Sequence, residues 1–325
     1  MKAVLLLVTR HGPSVLAGGV LLGLAWPGLA TLARPLMPVT VFVFVLGTLL
    51  RVDTAELLAA LARPRISVLL PLFVMVACPV VVGILAQLAG ADPALRLALV
   101  LATAAPPSSG TAAVARMLGL DPAVPLVATF VSMAAAPLTV PLLASLANND
   151  GPLPIGPLDL AWRLALLVGS AEGVALFLRR RAARMLAEHV LALDGLLVVA
   201  LLVFALATMT GVRTMIEAAP ARALGFVLLA YGCNIGLQLS AAAVFPGDTS
   251  ARAAIGLTAG NRNVGLVWAA LGTATTPTMA LLFAAAQLPI YTLPRAIQTF
   301  LGRPRHKAKA ASERVSDTGH AGDSR

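Results

Sequence analysis

A single arginine in the middle of an apolar segment is the residue of this sequence best suited to chemistry. Arg262 lies near the centre of Ala253–Thr273, between Asn261 and Asn263. If that segment spans a membrane, a charge at its centre costs about 2.5–3.5 kcal/mol on insertion scales, so such residues usually serve a function. The guanidinium could hold an anionic ligand or replace a mobile cation. Tying unwound backbone carbonyls together is the structural alternative, and both roles can hold at once.

A second run of polar residues interrupts another apolar segment, Ala94–Leu118. Its middle contains two prolines, Pro106 and Pro107, followed by Ser108-Ser109-Gly110-Thr111. Proline removes a helix donor and clashes with the preceding turn, and glycine loosens a helix. Backbone groups freed in this way cannot face lipid, where each unsatisfied group costs several kcal/mol. We therefore predict two broken helices whose breaks are buried in protein or line a watery cavity. The hydroxyls of one break would then face the amides of the other.

Further polar side chains lie on the faces of two other apolar segments. Thr129 and Ser132 are three residues apart and share one helical face, and Tyr231, Asn234 and Gln238 share another. Hydroxyl and amide groups in membrane helices either line a polar path or hydrogen-bond helices to each other. The sequence leaves both interpretations open.

Two acids lie inside apolar segments, Glu172 in the middle of one and Asp194 near the start of the next. An acid at membrane depth is a candidate proton carrier, which makes Glu172 the candidate for proton coupling; a pair with Arg262 is the alternative. Cys78 and Cys233 lack the spacing of a metal site or a disulfide framework, so no metal site or cofactor is predicted. An intramembrane enzyme, which needs acid, base or nucleophile pairs at matching depth, is the less favoured alternative, because no histidine lies in a span and Glu172 and Asp194 are the only acids there.

The elements that must hold these residues are apolar helices. The chain of 325 residues is 59% hydrophobic and 12% charged, with a mean hydropathy of +0.90. Soluble domains carry about 25% charged residues, and about 20 apolar residues suffice to cross a bilayer. The sequence predicts an all-α membrane protein with ten such segments: Val15–Leu32, Met37–Leu50, Ile66–Leu88, Ala94–Leu118, Ala123–Leu146, Leu160–Leu178, Val190–Met209, Leu224–Phe245, Ala253–Thr273 and Thr276–Phe300.

The net charge of +10 is distributed unevenly between the two sides that ten spans define. Apart from Arg262, the basic residues fall on the side of the termini, except for a small outer set: Arg34, Arg96, Arg163, Arg213 and Arg222. Cytoplasmic segments carry the excess of lysine and arginine, so both termini are predicted in the cytoplasm of an inner membrane. The bias accounts for the basicity without nucleic acid, since no basic-aromatic interleaving accompanies it. Membrane lipid is therefore the expected environment.

The spans divide the chain into one transporter-like domain and a tail. Residues 1–302 hold the spans, in halves of about 1–150 and 151–302, and 303–325 form a basic tail predicted to be disordered in the cytoplasm. The two interrupted helices are the fourth span of each half. Five spans per half make the halves inverted repeats, and interrupted helices at matching positions are the best sequence pointer to a transporter binding site.

The interrupted segments also resemble those of a known family. LATAAPPSSGTAAVARMLGLDPAVPLVATFVSMAAAPLTVPLL is similar to the fourth and fifth spans of the sodium/bile-acid symporter family, and LTAGNRNVGLVWAALG to its ninth. The likeness covers most of Ile66–Pro141 and Leu224–Phe300. It implies ten spans in inverted repeats, a core domain of spans three to five and eight to ten, and a panel domain of one, two, six and seven. It also implies organic anions, such as bile acids or small carboxylates, taken up with sodium.

The likeness breaks down at residues that bind sodium in that family. In the ninth span, Thr258 stands where the family has a glutamate, and Arg262 where it has a glutamine. The third-span stretch Pro71–Pro79 contains no counterpart of the family's glutamine. The guanidinium would put a permanent charge roughly where a sodium site should be.

The fourth and fifth spans match the family only in part. Thr111 and Thr129 stand at hydroxyl positions of the family, but Ala112 replaces an asparagine and Pro125 a serine. The remaining set has lost its carboxylate, so we predict that uptake does not depend on sodium through these residues. Proton symport, facilitated diffusion and residual sodium binding stay open.

Together these features predict a secondary transporter of a small organic anion that works by alternating access. The predicted binding residues are those of the two breaks and of the polar faces beside them: Arg262, Asn263, Asn261, Thr258, Ser108, Ser109, Thr111, Thr129, Asn234 and Gln238. A membrane sensor that binds a ligand without transporting it is the main alternative. Substrate identity, transport direction and oligomeric state stay open.

Overall fold

A computed structural model describes residues 12–50, 54–148, 154–182, 185–186 and 189–301. It is 86% helix, and its described residues contain no strand. The predicted tail 303–325 lies outside these residues, as does the side chain of Asp194. The expectation of an all-helical protein is confirmed.

The helices follow the apolar segments of the sequence. In chain order they are α1 (Gly12–Ala25), α2 (Pro27–Ala33), α3 (Met37–Leu50), α4 (Thr54–Leu61), α5 (Arg65–Leu88), α6 (Pro93–Ala104), α7 (Thr111–Met117), α8 (Ala123–Ala147), α9 (Pro157–Arg181), α10 (Val190–Thr208), α11 (Val212–Ala218), α12 (Pro220–Val244), α13 (Thr249–Gly260), α14 (Val264–Leu271) and α15 (Pro277–Leu301).

Each of the ten predicted segments coincides with one helix or with two shorter ones. Six helical stretches of the described residues are long and apolar enough to cross a membrane by length and composition: Pro27–Leu50, Arg65–Leu88, Ala123–Ala147, Pro157–Arg181, Gly195–Ala218 and Pro220–Val244. The length and composition of these helices suggest a membrane protein.

The start of the chain departs from the predicted boundaries. The first predicted segment is divided at Trp26, where α1 ends and α2 begins with Pro27. The expected loop before Met37 is instead a turn of 3-10 helix, Arg34–Leu36, which joins α2 to α3. Proline is tolerated in the first turn of a helix, where its missing N–H is not needed, so Pro27 starts a helix within an apolar run that hydropathy cannot divide.

Prolines also change the winding of α5. Two stretches of it, Arg65–Leu69 and Phe73–Ala77, are π-helical. At the end of the second stretch, the N–H of Cys78 bonds Phe73 O, five residues back. The next residue is Pro79, which has no N–H to give, so the carbonyl of Val74 receives no bond from residue 78 or 79.

The helices pack in two groups. In one, α1, α2 and α3 contact α10, and α3 also contacts α9. In the other, α6 contacts α5, α8 and α15, and α12 contacts α13 and α15. The groups meet where α9 packs on α8 and on α14. The short helix α4 rests on α8 through a small apolar cluster of Leu57, Ala123 and Val127.

Candidate binding site at the helix crossing

Both predicted breaks are present, and they cross each other. The helical run of α6 ends at Ala104 and resumes as α7 at Thr111, while α13 ends at Gly260 and α14 begins at Val264. Between these ends, Pro107 and Arg262 form an isolated antiparallel bridge. The two extended segments therefore run side by side in opposite directions.

The crossing segments satisfy part of each other's freed backbone. The N–H of Ser108 donates to Asn261 O at 2.7 Å, and the N–H of Asn263 donates to Pro106 O at 2.7 Å. Buried backbone groups need such partners because water is absent. Each break thus supplies the hydrogen bonds that the other lost, which explains why two separate interruptions can be tolerated together.

Arg262 is buried at this crossing, with 4% of its surface exposed. Its Nη1 donates to Val74 O at 2.8 Å and to Ala105 O at 3.3 Å. Both carbonyls lack a donor from their own helix because of proline. Val74 O lies five residues before Pro79, and Ala105 O lies directly before Pro106 in the break. The guanidinium therefore ties two helices to the crossing, which is the structural role that the sequence left as an alternative.

The position of Arg262 also suits a cation electrostatically. It follows directly on the C-terminal end of α13 and bonds the carbonyl at the C-terminal end of α6. A helix carries roughly half a negative charge at its C-terminal end, so two such ends attract about one positive charge. The guanidinium supplies that charge covalently, at a place where a protein could otherwise hold a free cation.

Arg262 does not form an ion pair within the described residues. Its bonds there run to backbone carbonyls, and Glu172 Oε1 on α9 is buried without a hydrogen-bond partner. The pairing of Glu172 with Arg262, an alternative at the sequence level, is not observed. The acid lies on the opposite helix group and remains the candidate for proton coupling.

Many polar atoms around the crossing are buried without a hydrogen-bond partner. They come from the two breaks and from α8, which packs against α13. These atoms are Ser109 Oγ, Thr111 Oγ1, Ser132 Oγ, Asn261 Oδ1 and Nδ2, Arg262 Nε and Nη2, and Asn263 Nδ2. Leaving one buried polar group unpaired costs about 1–3 kcal/mol, and such groups are rare in native proteins. Their concentration here indicates a site built to be completed by a polar ligand or by water.

Asn261 and Asn263 differ in what they leave free. Asn261 is 1% exposed, and neither end of its amide has a partner. Asn263 caps α14, with its Oδ1 accepting from the N–H of Leu266 at 3.3 Å, so only its Nδ2 is free. Most of the free groups at the crossing can donate, since they are N–H groups or hydroxyls, and the local charge is positive, so the arrangement suits an electron-rich, anionic ligand.

Three other predicted site residues lie close by in sequence or packing. Thr258 is fully buried and donates to Ala254 O of its own helix at 2.7 Å. Thr129 is buried on α8, one turn from Ser132, and Ser108 is half-buried beside Ser109. The structure thus gathers these hydroxyl residues on elements that meet at the crossing.

Asn234 and Gln238 join α12 to α13 rather than being free. Asn234 Nδ2 donates to Gly260 O at 2.9 Å, and Gln238 Nε2 donates to Asn234 Oδ1 at 2.6 Å. A Cβ at Gly260 would lie 2.5 Å from Gln238 Cγ and 2.9 Å from Asn234 O, and one at Gly256 would lie 2.8 Å from Gln238 O. The polar face of α12 therefore holds the end of α13 through close backbone approach.

Cavities of different sizes lie on this helix group, among them one of about 170 Å³ between α5, α6 and α8. A small one of about 40 Å³ lies beside Arg262, Asn234 and Thr103, with otherwise mainly apolar walls. A larger one of about 420 Å³ opens at one end of the group, beside Arg63, Asp121 and other loop residues. The small cavity touches the crossing directly, whereas the larger is lined by the loops before α5, α8 and α13.

The carbonyl partners of Arg262 were not foreseen from the sequence. The available signal was the proline at 79, because a proline leaves the carbonyls four and five residues before it in need of another donor. Comparison of the chain with models of known protein families found no match, and a search of curated proteins found none either.

Proposed function

We propose that the protein is a secondary transporter that carries a small organic anion by alternating access. The observation that carries the proposal is the crossing of two broken helices, where a buried guanidinium and several polar groups without partners lie together. Such breaks are tolerated at membrane depth where they are buried or line a site. The resemblance of these segments to the sodium/bile-acid symporter family points to the same class of substrate.

Within this proposal, the ligand binds at the crossing. Asn261 and Asn263 donate to it through their amides, and Ser109 and Thr111 contribute hydroxyls. Arg262 gives the site its positive charge, and the N-terminal end of α14 adds a partial one. Thr258, Thr129 and Ser108 lie on the elements around it, while Asn234 and Gln238 hold the end of α13 against α12.

The proposed architecture has ten spans in two inverted repeats. Helix bounds near all ten predicted segments support it, as does the packing of α5, α6, α8, α12, α13 and α15 in one group. That group would be the moving core, and the helices of the other would be the panel. The core's far end is held by the panel: Arg163 Nη1 donates to Ala270 O and Leu271 O at 3.3 Å each, and Arg34 lies over the ring of Trp268 at 5.2 Å.

The first prediction concerns the topology of the protein in a plasma (inner) membrane. Both ends of the chain should lie in the cytoplasm, because the basic residues concentrate on that side. A reporter active only in the cytoplasm, fused after Arg325, should be active. The same reporter placed in the loop after Asn148 should be silent, and the reverse pattern would contradict the assignment.

The second prediction concerns the coupling ion. Arg262 already supplies a cation to the C-terminal ends of α6 and α13, and Thr258 stands where a carboxylate would be needed. Hard cations require several oxygen ligands, and a permanent guanidinium repels them. Flux into vesicles should therefore change less than about twofold when Na⁺ is replaced by K⁺, whereas a steep, saturable Na⁺ dependence would overturn the prediction.

The experiment that tests the function itself has two stages. Thermal shifts of the purified protein with a panel of small carboxylates and bile acids, in K⁺ and in Na⁺, identify a ligand. Flux of that labelled ligand into proteoliposomes then distinguishes a carrier from a sensor. Binding without flux would support the sensor, and neither binding nor flux of any organic anion would contradict the proposal.

A further inference from the structure

Only one of the three guanidinium nitrogens of Arg262 has hydrogen-bond partners in the protein. Its Nη1 has two carbonyl partners, but Nε and Nη2 have none although the side chain is 4% exposed. Charged N–H groups that lose water without gaining acceptors are costly, more so than neutral ones. The thiol of Cys78 lies close to the guanidinium but is a weak acceptor, so a stronger partner must complete this group.

The small cavity beside Arg262 offers room for a partner of limited size. It is lined from α6, α12 and α15 as well as from the crossing, and its volume is about 40 Å³. A water needs roughly 10–15 Å³ measured in this way, and pockets for drug-sized ligands measure roughly 300–1,000 Å³. The cavity therefore fits one to three water-sized groups and excludes an organic substrate.

The walls of the cavity decide which small partner fits. Its other polar side chains are already engaged: Thr103 Oγ1 donates to Leu99 O at 2.7 Å, and Asn234 bonds Gly260 O and Gln238. The remainder is mainly apolar, from residues such as Leu237 and Leu282. A buried water needs two to four polar partners, whereas a monovalent anion is held mainly by charge. The one charged group on the wall is Arg262.

We propose that this cavity is a binding site for a small monovalent inorganic anion of chloride size, which serves as the counter-ion of Arg262. The cavity is too small to admit an organic substrate, so the small anion accompanies Arg262 while no carboxylate of a transported ligand is bound to it. Binding would stabilise the crossing in the absence of any transported ligand. The proposal does not depend on transport, so it can fail while the proposed function stands.

The test is halide-dependent thermal stability of the purified full-length protein. Starting from gluconate salts at constant ionic strength, replacement by chloride or bromide should raise Tm saturably by roughly 5 °C at a hundredfold excess over Kd. Sulfate should not reproduce the shift, since it is divalent and larger. A shift in sulfate equal to that in chloride, or no shift from gluconate in either salt, would overturn the proposal.

Variants locate the effect. Ala230→Leu fills the cavity from α12 while Arg262 stays in the chain, and it should abolish the halide shift; Ala243→Leu, at an exposed position of the same helix, should retain it. Arg262→Gln should also abolish it; if that variant does not fold, Ala230→Leu alone decides. A shift that survives Ala230→Leu would place the anion elsewhere and overturn the proposal.

Two further experiments test directly what serves as the counter-ion of Arg262. The thiol of Cys78 lies close to the guanidinium and is the other conceivable source of negative charge. Cys78→Ala should leave the halide shift intact, and its loss in this variant would count against an independent anion. Crystals grown in bromide should show anomalous density beside Arg262, and bromide density only at other positions would refute the site.

Discussion

Replacing Arg262 with alanine should lower both the stability of the protein and its affinity for the ligand. The change removes the donor that Val74 O and Ala105 O share, and hydrogen bonds to charged groups contribute about 1.5–3 kcal/mol each. We expect Tm to fall by roughly 5–10 °C. Affinity for the anion found in the ligand panel should fall about ten- to a hundredfold in the folded fraction.

Arg262→Lys separates the two roles of this side chain. An ammonium can still reach one carbonyl, so part of the lost stability should return. It cannot reproduce the planar fork that holds a carboxylate through two bonds, so affinity should stay low. Measuring Tm and Kd on the same purified samples gives both quantities.

The control for charge is Arg116→Ala, which removes an exposed arginine from the end of α7 and should change neither quantity. Unchanged affinity in the folded fraction of Arg262→Ala would remove Arg262 from the ligand site and leave it a brace. An unchanged Tm would contradict the bracing role, and with it the importance of the carbonyl freed by Pro79.

Replacing Gly260 with alanine should be the most destabilising small substitution in the described helices that meet at the crossing. Its Cβ would lie 2.9 Å from the backbone Asn234 O as well as 2.5 Å from Gln238 Cγ. Backbone cannot move aside as a flexible side chain can, and overpacking of this kind typically costs about 1–3 kcal/mol. The displaced amide of Asn234 would also lose its hydrogen bond to Gly260 O. We therefore expect Tm to fall by several degrees and ligand affinity to weaken with it.

Gly232→Ala and Gly236→Ala are the matched controls, because they lie on the partner helix α12 with nothing within 4 Å of the added Cβ. Alanine is the better helix former, so their Tm should stay the same or rise slightly. Gly256→Ala, whose Cβ would lie 2.8 Å from Gln238 O, should behave like Gly260→Ala. Equal stability of all four variants would show that α12 and α13 do not approach as closely as described.

Helices and their interruptions could be predicted because their causes are local. The bounds of α3 and α8 follow apolar runs, and the breaks at Pro106 and at Gly260–Asn263 follow from residues that cannot continue a helix. By contrast, hydropathy could not separate α1 from α2, since the chain stays apolar through Trp26.

The sequence could indicate that the two breaks lie together, but not how their side chains are bonded. Asn261, Arg262 and Ser109 do meet at one place, as the matching positions of the two breaks suggested. The sequence could not show that the amide of Asn234 would donate to Gly260 O while the amide of Asn261 stayed unpaired, because both asparagines lie in apolar segments. Which amide is free depends on the distance between α12 and α13, which no local pattern encodes.

By itself, the sequence determined that the chain is helical and suited to a membrane, and that it carries one arginine at the centre of a broken helix. Hydrophobicity and proline chemistry act within a few residues, so these properties need no partner helix. Only the tertiary structure decided what Arg262 bonds: Val74 O is 188 positions away and Ala105 O is 157. A buried guanidinium donates to nearby carbonyls that have no other donor. Carbonyls from separate helices come within its reach only when those helices pack against one another.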